Sequence, residues 1–333
     1  VDFNISSTPV TPNPSPALQK LYSFLLDNFQ KKIISGAMTL QGGDDTSMRE
    51  PNWLSNNTGK SPALIGLDFM HQTGSGSSWY YNDATLSKQV VRDATAYWKK
   101  GGIPALCWHW RDPSGSTNEF YSPSSGNSAT QFDAEQAVID GTSQNKAVLK
   151  DLETIADQLQ ALRDAGIAVL WRPLHEASGK WFWWGYKGPE PLKKLWNIEY
   201  NYFVNERKLN NLVWVFTAGT PTDGIIDWYP GDDKVDVIGM DIYPSQGDHS
   251  SQANYFELCR DVFKGKKIVS LSECGSIPSP DNAQKDGALW SYFMPWYGDY
   301  TIPQGNNAYN SKDFWTSTFS SNLVLTLDQM PGW

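Results

Sequence analysis

Two short stretches carry the residues best placed to do chemistry. Arg172-Pro173-Leu174-His175-Glu176 follows an apolar run over 167–171, and Trp181-Phe182-Trp183-Trp184-Gly185 comes five residues beyond the glutamate. Glu273 closes a second apolar run, Ile268-Val269-Ser270-Leu271-Ser272, ahead of Cys274-Gly275. A carboxyl surrounded by aromatic side chains loses hydration. Its charged form is disfavoured, its pKa rises, and it is suited to giving up a proton near neutral pH. A second carboxylate within about 5–5.5 Å of the first could attack an anomeric carbon, which is the requirement of a retaining glycosidase. Other chemistries fit less well. His175-Glu176 begins like the zinc motif H-E-x-x-H, but Gly179 stands at the second histidine position and the chain has only 4 His. No G-x-S-x-G marks a serine nucleophile, and Gly74-Ser75-Gly76 is not continued into a phosphate-binding loop. No motif asks for a metal or another cofactor.

These residues need elements to position them. Short apolar runs recur at 32–38, 63–68, 104–110, 167–172, 212–217, 235–241, 267–273 and 289–296. Several are nearly continuous apolar stretches, as parallel strands buried on both faces should be. Helical periodicity falls over 18–29, 86–100, 147–164, 191–207 and 254–263, with Gly101-Gly102 and Gly166 as stops. Eight strands alternating with helices predict an α/β fold, a (β/α)8 TIM barrel in a single domain. Residues 17–333 form that barrel and residues 1–16 a Pro-rich N-terminal extension. Counting places Glu176 after the fourth strand and Glu273 at the end of the seventh, both at the face where barrel enzymes build their sites. The Gly-, Ser- and Asn-rich stretches 42–60 and 111–145 read as long loops walling a cleft.

Composition narrows the partner. The net charge of −9 and pI near 5.0 disfavour nucleic acid. The chain carries 16 Trp and 15 Tyr. An indole face stacks on the C–H face of a sugar while amides and carboxylates bond its hydroxyls, so a neutral polysaccharide suits this surface. About half of the tryptophans are expected to be core filler. Cys107, Cys259 and Cys274 have no C-x-x-C spacing and say little about redox compartment. No apolar run approaches a membrane span. The opening VDFNISSTPVTPNPSP reads as the start of a processed secreted chain, and Asn4-Ile5-Ser6 and Asn56-Asn57-Thr58 match the glycosylation triplet.

The Arg-Pro-Leu-His-Glu run with its Trp-Phe-Trp-Trp-Gly partner resembles the signature of glycoside hydrolase family 26, whose best-known members are β-mannanases. Gly239-Met240-Asp241-Ile242-Tyr243 resembles the family's sixth-strand segment, and Ser272-Glu273-Cys274-Gly275 its nucleophile strand. The resemblance implies Glu176 as acid/base and Glu273 as nucleophile in a double displacement on β-1,4-mannosidic bonds. It further implies that His175 contacts sugar hydroxyls in the −1 subsite and that Trp181 flanks the cleavage point. Arg172 and Tyr243 would hydrogen-bond the nucleophile, with Asp241 supporting them. His109 would line the site and Trp296 would floor the −1 sugar. The implied partner is β-mannan or a manno-oligosaccharide, met by a monomer without a cofactor. Two other readings stand beside this one. A non-catalytic carbohydrate-binding barrel would have lost a carboxylate, whereas an enzyme for β-1,3-xylan or mixed-linkage β-glucan would keep both.

Overall fold

The computed structural model describes residues 1–39, 48–74, 88–219 and 224–333. Eight parallel strands run in sequential order around one sheet. They are β1 (Gly36–Met38), β2 (Leu64–Asp68), β3 (Ile103–Cys107), β4 (Val169–Arg172), β5 (Leu212–Phe216), β6 (Val237–Ile242), β7 (Ile268–Cys274) and β8 (Phe293–Pro295). Nearly every strand residue is buried, because helices cover the outside and side chains fill the inside. The sheet closes on itself where Ile34 bridges Tyr292 in parallel and its N–H donates to the Ser291 carbonyl at 2.9 Å. Here Gly36 lies so near the Phe293 carbonyl that a Cβ would sit 2.4 Å from it, so the seam needs a residue without a side chain. The result is a (β/α)8 barrel.

Outer helices start where short polar side chains can cap them. Ser15 accepts from the Leu18 N–H ahead of Pro16–Asn28, Thr142 from Asn145 ahead of Ser143–Asp164, and Ser311 from Phe314 ahead of Lys312–Ser320. No helix among the described residues is long and apolar enough to cross a membrane. The Pro-rich lead lacks regular structure but is tied down. Asn4 N–H donates to the Gly265 carbonyl at 2.8 Å, Val10 N–H to Asp236 Oδ1 at 2.8 Å, and the Tyr22 hydroxyl to the Ser6 carbonyl at 2.6 Å.

The structure departs from the pattern reading in instructive places. The expected strand over 32–38 is divided. Ile33–Ile34 pairs with Val324–Leu325 near the C-terminus while Ile34 also bridges Tyr292 at the seam, and Gly36–Met38 forms the barrel strand. The stretch 42–60 is not all loop, since Arg49–Thr58 is a helix; residues 42–47 lie outside the described residues, as do 75–76 of the glycine loop and 86–87 of the helix expected over 86–100. The stretch expected as helix over 191–207 is Pro189–Tyr200 continued by a π-helix over Asn201–Glu206. Within 111–145, Ala134–Ala137 forms one helical turn. Among the described residues nine tryptophans are almost wholly enclosed: Trp108, Trp110, Trp171, Trp183, Trp184, Trp196, Trp214, Trp290 and Trp315. Trp183 and Trp184 are thus packing residues. The three cysteines are buried and unpaired.

Candidate active site

The barrel's C-terminal mouth gathers the residues singled out from sequence. Arg172 ends β4 and points inward. Its Nη2 donates to Glu273 Oε2 at 2.5 Å and its Nη1 to Asp241 Oδ2 at 3.1 Å. The Tyr243 hydroxyl donates to the other Glu273 oxygen, Oε1, at 2.5 Å. Glu273 is only 3% exposed, so these charge-assisted bonds hold a carboxylate with little water around it. Tyr243 is 40% exposed and presents its ring to the cleft.

A bulge puts these groups in reach of one another. Between β6 and β7 the register runs Met240 to Leu271 and then Asp241 to Glu273, leaving Ser272 as an extra residue. A β-bulge bends its strand and re-aims side chains. Ser272 Oγ can then donate to Asp241 Oδ1 at 2.7 Å while Glu273, its neighbour, serves the mouth. The space is kept by Gly239, where a Cβ would lie 2.4 Å from Ser272 Oγ and 2.5 Å from Thr217 Oγ1.

Glu176 follows β4 in an irregular segment. Its φ is +56° and that of Leu174 is +54°, both in the left-handed region that side-chain-bearing residues rarely occupy. The segment is pinned to the end of β5, with Glu176 N–H on the Thr217 carbonyl at 2.9 Å and Ser178 N–H on Ala218 at 2.7 Å. Trp184 Nε1 also donates to the His175 carbonyl at 2.9 Å. Trp181 donates its indole N–H to Glu176 Oε1 at 3.1 Å. One oxygen of Glu176 lies within 4.8 Å of one oxygen of Glu273.

The two carboxyls are electrostatically unlike. Burial, then the Glu273 charge and the hydrogen bond and charge of Asp241, push Glu176 well above the usual carboxylate range, against the opposing charge of Arg172. Burial and Asp241 also push Glu273 up, to about 7, but Arg172 and Tyr243 pull it back through direct bonds. Buried so close together, the carboxyls titrate as a pair. The first to ionise is the one bonded to the guanidinium, and Glu176 keeps its proton.

His109 and His175 lie side by side on the floor, with Nε2 atoms 3.3 Å apart. His175 is wholly buried, so its ring shows no surface to the cleft, and burial pushes its pKa well below the ordinary imidazole value. His109 is 9% exposed and packs among Phe120, Phe182 and Trp296. Trp296 is half-buried beyond β8, its N–H bonded to the Cys274 carbonyl at 3.0 Å. All nine residues named from sequence therefore meet at one end of the barrel.

Sequence reasoning missed Asp68. It ends β2, is buried, and bonds His109 Nδ1 through Oδ2 at 2.5 Å. An acidic residue closing a fully buried strand at the mouth was the available signal. Among the described residues, two groups of side chains have metal-ligand types close together, Asp68–Cys107–His109 and His175–Glu176–Glu273. Neither suits a dication. Arg172 already neutralises Glu273, while Asp68 is occupied by His109 and burial raises the Cys107 thiol well above its ordinary value.

A barrel whose mouth holds two carboxyls at this spacing, one of them bonded to a guanidinium, walled by aromatic rings, has the architecture of the glycoside hydrolases. The chain belongs to glycosyl hydrolase family 26, whose family profile matches residues 10–328. Its fold superposes with a TM-score of 0.97 on the β-mannanase from a symbiotic protist of the termite Reticulitermes speratus, crystallised with a gluco-manno-oligosaccharide. That protein is 70% identical, and the match covers 100% of both chains. A mannan endo-1,4-β-mannosidase of Thermothelomyces thermophilus is 37% identical over 97% of this chain, and mannan endo-1,4-β-mannosidase A of Piromyces sp is 32% identical over 99%. The chain spans 63% and 52% of the length of these two relatives.

Proposed function

We propose that this chain hydrolyses β-1,4-mannosidic bonds in mannan, glucomannan or galactomannan with net retention, using Glu273 as nucleophile and Glu176 as acid/base. The observation that carries the reading is the 4.8 Å limit between their oxygens, with Arg172 and Tyr243 on one carboxyl and Trp181 on the other. Inverting enzymes need about 6.5–9.5 Å to admit a water between the carboxyls, whereas direct displacement needs about 5–5.5 Å. The names of the relatives supply the substrate class.

In the first step an oxygen of Glu273 bonds to the anomeric carbon as the glycosidic oxygen leaves, taking the proton of Glu176. Loss of that proton leaves Glu176 a base. It then takes a proton from water, whose oxygen displaces Glu273 and restores both groups. Arg172 and Tyr243 keep the attacking carboxylate ionised and aimed, and Asp241 receives the second arm of Arg172. Trp296 offers a flat apolar surface beneath the sugar at the cleavage point.

The test is reducing-sugar release from glucomannan, β-1,3-xylan and barley β-glucan, with the first-formed product anomer followed by NMR. Release from glucomannan with the β-anomer appearing first is expected. Preference for xylan or barley glucan would reassign the substrate, and the α-anomer appearing first would overturn the mechanism. Hydrolysis of none of them would favour a sugar-binding barrel.

A further inference from the structure

We propose that Asp68 is a positioning residue that acts through His109 on His175, setting which ring nitrogens of the two buried histidines carry protons. The inference rests on the site described above and adds to it a buried residue bonded to His109.

The bonding pattern around Asp68 assigns the protons. Its Oδ1 accepts the backbone N–H of His109 at 2.9 Å and of Met70 at 2.9 Å, and the Cys107 thiol also bonds this carboxyl. Its Oδ2 meets His109 Nδ1 at 2.5 Å. Two backbone N–H donors and a thiol converging on one carboxyl favour its ionised form. An ionised carboxylate has no proton to give, so the hydrogen between the two residues belongs to His109 Nδ1. In a neutral imidazole, a proton on Nδ1 leaves Nε2 as an acceptor. The atom facing it is His175 Nε2, so neutral His175 must donate from Nε2. His175 Nδ1 is then left as a bare acceptor, and that atom is buried without a hydrogen-bond partner. Asp68, at the end of β2, thus dictates the protonation of a ring two residues beyond Pro173 in the segment that carries Glu176. Its own chain position, more than a hundred residues earlier, gives no hint of this.

The ring order matters because His175 immediately precedes Glu176, and its carbonyl is anchored by Trp184. With no hydrogen between the His109 and His175 rings, two lone pairs would face each other at the floor of the site. With two hydrogens there, a pair of N–H groups would clash. Either change would push the rings apart, and His109 already fills the space between Phe120, Phe182 and Trp296.

The test compares wild type with Asp68→Asn. The amide oxygen can keep the backbone bonds, while its NH2 group can only donate toward His109 Nδ1. The four histidines make a long-range proton–nitrogen NMR spectrum of ¹⁵N-histidine-labelled protein assignable with His109→Ala, His71→Gln and His249→Gln. Wild type should show His109 as the Nδ1–H form and His175 as the Nε2–H form, and Asp68→Asn should switch His109 to Nε2–H. In parallel, kcat/KM on whichever β-glycan the wild type cuts best should fall by about 10- to 100-fold in Asp68→Asn, as is typical when an orienting partner is lost. The same change in a His109→Ala background should cost less than about 2-fold, because its effect runs through the missing ring. An unchanged His109 tautomer, or losses that multiply in the double variant, would overturn the proposal. The spectrum needs no substrate, so failure of the mannan assignment would leave this arm able to decide.

Discussion

The Tyr243 hydroxyl lies 2.5 Å from Oε1 of Glu273, on the oxygen that Arg172 leaves open. Each oxygen of Glu273 therefore has its own donor, whereas Glu176 receives the Trp181 indole and shares a hydrogen bond with Asp241. This asymmetry separates the roles of two carboxyls that have the same intrinsic chemistry. Removing the phenol in Tyr243→Phe deletes a bond that favours the charged form. Glu273 should then be harder to ionise, and the acid limb of the kcat/KM profile should move upward by about one pH unit, given about 1.5–3 kcal/mol for a bond to a charged group. A pH–rate series checks this, and a limb that stays in place or moves down would contradict it.

Glu273→Ala removes the attacking oxygen. Turnover should fall by several orders of magnitude, and a fluorinated mannosyl inhibitor should no longer add its mass to the protein. Intact-mass spectrometry of wild type and variant, side by side, reads the adduct.

Glu176→Ala removes the proton donor but leaves the nucleophile with its donors. Substrates whose leaving group departs without protonation should retain far more activity than mannan does. Aryl mannosides graded by leaving-group acidity measure the difference; equal losses on aryl glycoside and polysaccharide would count against the acid role.

Trp296→Ala should weaken binding at the cleavage point and raise KM, with the stereochemistry of the product unchanged. Its backbone bond to Cys274 does not depend on the side chain, so the barrel rim should persist. Kinetics on mannohexaose together with NMR of the product anomer test both halves of that statement.

Stability should also carry a pH signature from a residue outside the reaction. Glu199 is wholly buried against β4, where Trp171 Nε1 donates to its Oε1 at 3.1 Å, and burial raises its carboxyl to about 8. Unfolding returns it to the ordinary range near 4.5. The folded chain thus keeps a proton that the unfolded chain releases between those values. Its contribution is complete below about 4.5 and is lost as pH rises to about 8. Glu199→Gln, which can keep the Trp171 bond, should be less destabilised by that rise, by on the order of a few kcal/mol. Urea unfolding of both proteins at pH 5 and pH 8 gives the comparison, and parallel losses would refute it.

Local pattern alone determined the eight strands, their parallel order and the placement of Glu176 and Glu273 at the same rim. Apolar runs between amphipathic helices can bury both faces in few other ways, and the strand count follows from reading along the chain. The aromatic run 181–184 likewise foretold an apolar setting for Glu176. Tertiary structure decided the rest. Whether Ser272 is a paired strand residue or the extra residue of a bulge depends on the register against β6, and that register is not written in β7 itself. Asp68 meets His109 only because β2 and β3 are neighbours with Asp68 opposite Cys107. The division of 32–38 arose in the same way, since Ile33–Ile34 found a partner near the far end of the chain. Periodicity reports which face of an element is buried, but hydrogen bonds between distant elements choose which polar groups meet there, and those choices exist only once the barrel has closed.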